Sequence, residues 1–139
     1  MARLLGIDFG EKRVGFAETD DLQIIAAPLE TIENSKSIAF IKKYVSENQV
    51  DKLILGLPTY LNGDHSTTTE KVLAYAKKLE KHFPKHPLVL VDERYTSSMA
   101  FQSMIDAGVP KQKRKNKALI DKVSASIILR SYLDQNQSL

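Results

Sequence analysis

Three acidic positions in this chain stand where a fold could gather them. Asp8 follows the apolar run Leu4-Leu5-Gly6-Ile7 and precedes Phe9-Gly10, Asp92-Glu93 follows Leu88-Val89-Leu90-Val91, and Asp121 opens a helical pattern near the end of the chain. Ionised carboxylates at strand ends are rarely buried without a partner or a metal. Gathered together, they would offer hard oxygen ligands suited to magnesium or manganese. Two such ions held about 3.5–4 Å apart can activate water and stabilise the leaving oxygen in phosphodiester hydrolysis. Taken singly, each acid is more simply a turn or cap residue, Asp121 favouring a helix N-terminus through the dipole. Convergence of all three is what would make a site.

Adjacent strand residues point to opposite faces, so Asp92 and Glu93 should not both enter such a site, and parity leaves the choice between them open. Asp121, Ala125, Ile128 and Tyr132 share one helix face, which places the acid at the rim of a buried stripe, with Ser124 the other polar group near that edge. A second feature lies just upstream. Lys111, Lys113, Arg114, Lys115 and Lys117 form a cationic run with no acid between Asp106 and Asp121. Beside an acidic cluster, such a run can neutralise a phosphate backbone; alone, it is a solvated connection. Arg13 and Arg94, each close to an acid in sequence, are either phosphate contacts or structural ion pairs.

Several chemistries are excluded. The chain has no cysteine, which removes disulfides, thiolate zinc sites and cysteine nucleophiles. His65, His82 and His86 lack metal-binding spacing and are assigned to solvent, and neither a dinucleotide fingerprint nor a Walker lysine motif is present. The formal charge of +3 is mild, so its clustering matters more than its size. At 139 residues the expectation is a single domain spanning 1–139. No apolar run approaches membrane-spanning length and Asp8 interrupts any signal-like core, so a soluble, cytoplasmic protein is expected.

The elements that must position these residues follow from period and punctuation. Arg3 to Phe9, Arg13 to Glu18 and Gln23 to Ala27 are expected as three antiparallel strands. After Pro28, Ile38, Ile41, Lys42 and Val45 are spaced as on a helix capped by Asn34 or Ser35 and ending near Asn48. Leu53-Ile54-Leu55 is a buried strand running into Gly56-Leu57-Pro58. Past a loop at Asn62-Gly63-Asp64-His65, the capping-box pattern Thr67-x-x-Glu70 opens a helix that stops before Pro84. Leu88 to Val91 is a second buried strand. A helix from about Ser97 to Asp106 ends at Gly108 and Pro110, and another runs from about Ala118 to Leu133. The order is that of an α/β protein: a mixed five-stranded sheet, three antiparallel strands and then alternating helices and strands, flanked by helices.

Gly6-Ile7-Asp8-Phe9-Gly10, Gly56-Leu57-Pro58, Asp92-Glu93-Arg94-Tyr95-Thr96 and Asp121-Lys122-Val123-Ser124-Ala125 resemble, in order and over essentially the whole chain, the motifs of the YqgF family, also called RuvX. The resemblance implies an RNase H-like fold and a metal-dependent nuclease. It is described both as a Holliday-junction resolvase homologue and as the enzyme that processes the 5′ end of pre-16S ribosomal RNA. It implies an acidic site at Asp8, Glu93 and Asp121, with Asp92 left to a supporting role. Ser124 departs from the related RuvC resolvases, which resemble this chain but carry a further acid there. The function expected is an endonuclease on structured RNA using magnesium or manganese, with Asp8, Glu93 and Asp121 as ligands. Arg13, Arg94, Lys111, Lys113, Arg114, Lys115 and Lys117 are expected on nucleic acid. Expected partners are precursor rRNA or branched DNA and ribosomal particles, with no membrane, and the chain is expected as a monomer or weak homodimer. The alternatives are a branched-DNA resolvase, which would need a dimer to cut symmetrically, and a non-catalytic nucleic-acid-binding or ribosome-assembly factor. An actin-like ATPase is disfavoured, since no second lobe is present to close over nucleotide.

Overall fold

The structure is a computed structural model that describes residues 2–58, 67–92, 102, 105–111 and 116–137. Three strands open it: β1 (Arg3–Asp8), β2 (Arg13–Thr19) and β3 (Ala26–Glu33). A 3-10 turn (Asn34–Lys36) leads into α1 (Ser37–Glu47), followed by β4 (Val50–Leu57), α2 (Thr67–His82), β5 (Leu88–Asp92) and α3 (Lys117–Gln137). The sheet order is β3-β2-β1-β4-β5. The β1–β2 and β2–β3 pairs are antiparallel, while β1–β4 and β4–β5 are parallel. The expected mixed five-stranded sheet is present, and the C-terminal ends of β1, β4 and β5 share one edge.

The strand period of two divides the core between the sheet's faces. Leu5, Ile7, Val14, Phe16, Leu53 and Leu55 pack with Ile41 of α1 and Val72 and Leu79 of α2. Leu4, Ala17, Ile54 and Val91 pack on the other face with Ala125, Ile128 and Leu129 of α3. A large aliphatic side chain buried this way contributes about 1.5–3 kcal/mol. Glycines on β1 and β2 let α3 settle close to the sheet. A Cβ on Gly15 would overlap the carbonyl oxygen of Asp121, and one on Gly6 would stand 3.0 Å from the carbonyl of Ala125.

The third strand lies later than the sequence suggests. Residues 23–25, expected in a strand, form a loop because the Asp20 carboxylate accepts hydrogen bonds from the backbone N–H groups of Leu22, Ile24 and Ile25. The strand begins at Ala26 and runs through Pro28. Proline is tolerated there because β3 is an edge strand and the ladder shifts register between Phe16 and Ala17, opposite Pro28. The expected cap of α1 is also different. Neither Asn34 nor Ser35 is its N-cap residue; Lys36 is, and it makes no side-chain capping bond. Asn34 instead donates through Nδ2 to the carbonyl of Gly10 at 2.6 Å. The second buried strand is likewise corrected: β5 is a sheet edge, with Val91 buried and Leu90 exposed. The loop at 62–65 and most of the helix expected at 97–106 lie outside the described residues; Ile105 and Asp106 are helical and a turn follows at Gly108.

Candidate active site

Asp8 ends β1, half-buried, and its Cα pairs across the ladder with Gly15. Residues directly opposite in an antiparallel pair share a face, so Asp8 lies on the side that carries Gly15 and Ala17, the side covered by α3. Leu4, two pleats back, confirms the parity by packing on α3 residues. Gly15 is also where the backbone of α3 touches the sheet, at Asp121 and Lys122. The main chain of Asp121 therefore sits over a residue whose Cα is about 5 Å from that of Asp8. Two of the three expected acids are thus brought to one face and one edge.

Asp121 is positioned by three attachments. Asn116 caps α3 through Oδ1, which accepts from the backbone N–H of Ala118 at 2.9 Å and of Leu119 at 3.3 Å. The Thr31 hydroxyl donates to the carbonyl of Ala118 and ties this turn to β3. The third is Arg13, whose Nε donates to Asp121 Oδ2 at 2.9 Å. Arg13 shares the pleat of Gly15, two residues on, so the alternation of β2 aims it at the same helix turn. Arg13, expected on phosphate or in a structural ion pair, here forms the ion pair. Both side chains keep partial solvent access, 35% and 25%, so solvent screens the pair and its contribution is about 1 kcal/mol or less.

The other acids separate by parity. Asp92 pairs with Leu57, which packs on the α1–α2 side, so Asp92 belongs to the face opposite Asp8. It is also two strand spacings away, about 10 Å, with β4 between. Glu93 lies outside the described residues, as do Arg94, Lys113, Arg114 and Lys115. Lys111 and Lys117 are exposed, Lys117 opening α3 one turn before Asp121. Among the described residues no group of three acidic or histidine side chains stands close enough to hold a metal ion. His86, expected in solvent, makes a contact instead: its Nδ1 lies 3.0 Å from the carbonyl of Val50.

Ser124 follows Asp121 by one turn on the buried side of α3. It is 1% exposed, and its Oγ has no hydrogen-bond partner among the described residues. A buried hydroxyl left so costs about 1–3 kcal/mol unless water or an ion meets it. In the sequence Ser124 stands out only for the acid it replaces, and nothing there marks this orphaned oxygen. Two further residues support the site: Gly15, which seats the helix and for which the alternation Arg13-Val14-Gly15-Phe16 is the available signal, and Asn34, offered by the sequence as a cap of α1, which instead holds the turn between β1 and β2.

A family model described as "RuvX: Holliday junction resolvase" matches residues 2–135. A relative from Flavobacterium psychrophilum is 47% identical over 96% of this chain and 97% of its own. One from Phocaeicola vulgatus is 44% identical over 99% of both, and one from Porphyromonas gingivalis is 46% identical over 96% and 97%. All three are named as candidate pre-16S rRNA nucleases. Among solved structures, Thermus thermophilus RuvC in complex with a Holliday junction substrate superposes with a TM-score of 0.59 at 11% identity, covering 99% of this chain and 98% of that one. The fold is therefore RNase H-like, as the sequence resemblance implied.

Proposed function

The chain belongs to the RuvX family, and from that membership we propose that it is a nuclease hydrolysing phosphodiester bonds in structured RNA, acting on the 5′ flank of precursor 16S rRNA. The observation that carries this reading is the placement of Asp8 and Asp121 on one face of the sheet at the C-terminal edge of β1, beneath the α3 turn that Gly15 admits. Glu93 is the third acid of the proposed site: Asp92 faces away, and its neighbour is the residue the family motif assigns. We take the protein as one domain over 1–139 that works in the cytoplasm, on ribosomal precursor particles, as a monomer or weak dimer.

The donor set fits a divalent cation. Two carboxylates share the face, Asp121 keeps Oδ1 beyond the Arg13 bond, and an unpartnered buried hydroxyl lies one turn on. Magnesium or manganese held by Asp8, Glu93 and Asp121 would supply Lewis acidity and a nucleophilic water. The chain's own residues supply the rest. Asp8 is fixed by the strand and Asp121 by the capped helix, so neither acid is reorganised at the moment of reaction. Arg13, already at the rim, offers a guanidinium to a scissile or neighbouring phosphate. Lys111, Lys113, Arg114, Lys115 and Lys117 lead the chain into Asp121 and draw the polyanion toward that edge, with Arg94 beside Glu93 doing the same.

The test is side-by-side incubation of the purified protein, with magnesium or manganese, on precursor 16S rRNA and on a four-way DNA junction. Cleavage within the 5′ flank of the RNA is expected. Junction cleavage without RNA cleavage overturns the reading in favour of the resolvase that the family description names. RNA binding without cleavage of either substrate overturns it in favour of an assembly factor.

A further inference from the structure

Behind the turn that follows Asp8, on the opposite face of the sheet from Asp121, lies a cleft of about 390 Å³ between that turn, the 3-10 turn and α2. Its size falls within the ~300–1,000 Å³ of small-ligand clefts. Phe9 and Tyr75 form its aromatic wall, their ring centroids 4.8 Å apart. Phe9 is partly buried, packed against the core on one side and lining the cleft on the other. Asn34 also lines it, anchored to the carbonyl of Gly10 through Nδ2. Two lysines of α2 line one side, Lys71 and Lys78, separated by seven residues or about 10 Å of helix. Lys71 is paired with Glu11 across the cleft, while Lys78 is exposed and has no acidic partner among the described residues.

We infer that this cleft is a second contact site for the RNA strand, taking a nucleotide that flanks the cleaved bond: the base against Phe9 and the phosphates along Lys78 and Lys71. Three features converge on that occupant. Phe9 is bonded to Asp8, so a strand lying across the acidic edge has only the Gly10 turn to cross before it enters the cleft. The lysines outnumber Glu11, giving the cleft a net positive charge that complements phosphate. Aromatic side chains lining a cleft beside cations form the kind of surface on which single-stranded bases stack. Glu11 then acts as a stand-in for phosphate, occupying Lys71 until the strand displaces it.

This inference rests on the nuclease reading, and its test is chosen to separate the two. Binding of a fluorescein-labelled single-stranded RNA is measured by anisotropy in EDTA, where no cleavage occurs. Lys78→Glu is expected to weaken binding about tenfold, whereas Lys85→Glu, the same change of charge in the turn at the opposite end of the sheet, weakens it no more than about twofold. Glu11→Gln is expected to strengthen binding by releasing Lys71. All three positions are exposed, so folding is preserved, and matching melting temperatures verify it. Equal effects of Lys78→Glu and Lys85→Glu, with wild-type binding intact, overturn the cleft and leave the nuclease untouched. Absence of RNA binding by the wild-type protein in EDTA also overturns the cleft, whereas the nuclease reading stands or falls on metal-dependent cleavage of precursor 16S rRNA.

Discussion

Arg13 and Ser124 show what a residue's type leaves unsaid. A sequence displays the charge of Arg13 but not its partner. Phosphate contact and ion pair are both physically sound for such a residue, and it is the β2 pleat that aims it at Asp121. If that pair competes with a cation for the carboxylate, Arg13→Gln raises the affinity for manganese in the absence of RNA by about fivefold, the equivalent of the ~1 kcal/mol a screened pair provides. Titration calorimetry measures it; unchanged or weaker affinity would mean that the guanidinium does not compete. Asp8 and Asp121 were legible because strand-end and helix-phase arguments need only local periodicity. The orphaned Ser124 hydroxyl was not, since partnership is a property of the packed interior. Removing it should be neutral or raise stability by up to about 1 kcal/mol, so Ser124→Ala should melt no lower than wild type. A clear drop in melting temperature would show that the hydroxyl is satisfied by an ordered water.

At the scale of elements, the close approach of α3 to β2 is what unites the two acids. Gly15→Ala inserts a methyl where the Asp121 carbonyl lies, and the overlap is with backbone, which cannot rotate aside. A loss of about 1–3 kcal/mol in chemical denaturation is expected, together with reduced cleavage as Asp121 is lifted from the sheet. Full retention of both would contradict the seating of α3. The misplaced third strand has a physical lesson. Ile24-Ile25-Ala26-Ala27 has strand composition, but Asp20 satisfies the local backbone N–H groups and keeps the ladder from starting until Ala26. The same bonds, from Ile25 foremost and then Ile24 and Leu22, hold the Asp20 carboxyl below its ordinary range. A depressed folded-state value means that the contribution is complete above the unfolded value near ~3.9 and disappears as pH falls through the folded one. Asp20→Ala should therefore lower the melting temperature at neutral pH, with the difference from wild type shrinking in acid. A difference independent of pH would sink that assignment.

Over the whole molecule, the order of strands and helices along the chain was recoverable because each element carries its own period; the order within the sheet, whose parallel β1–β4–β5 run fixes which ends share an edge, was not. Side-chain pairing across that edge was not recoverable, because it depends on register, which no single segment encodes. Among the described residues no helix is long and apolar enough to cross a membrane. The formal charge of +3 is too small to bind RNA by itself, so affinity should come from the localised cations and fall steeply with salt. Neutralising Lys111 and Lys117 together should reduce the slope of log affinity against log salt by about 1–2, measured by anisotropy, and an unchanged slope would remove them from the interface. The most direct test of the proposed site compares cleavage of precursor 16S rRNA by the wild-type chain and by Asp8→Asn, each with manganese and with EDTA. Metal-dependent cleavage by wild type, and its loss in an Asp8→Asn protein of similar melting temperature, is expected. Undiminished metal-dependent cleavage by Asp8→Asn would contradict a site built on Asp8.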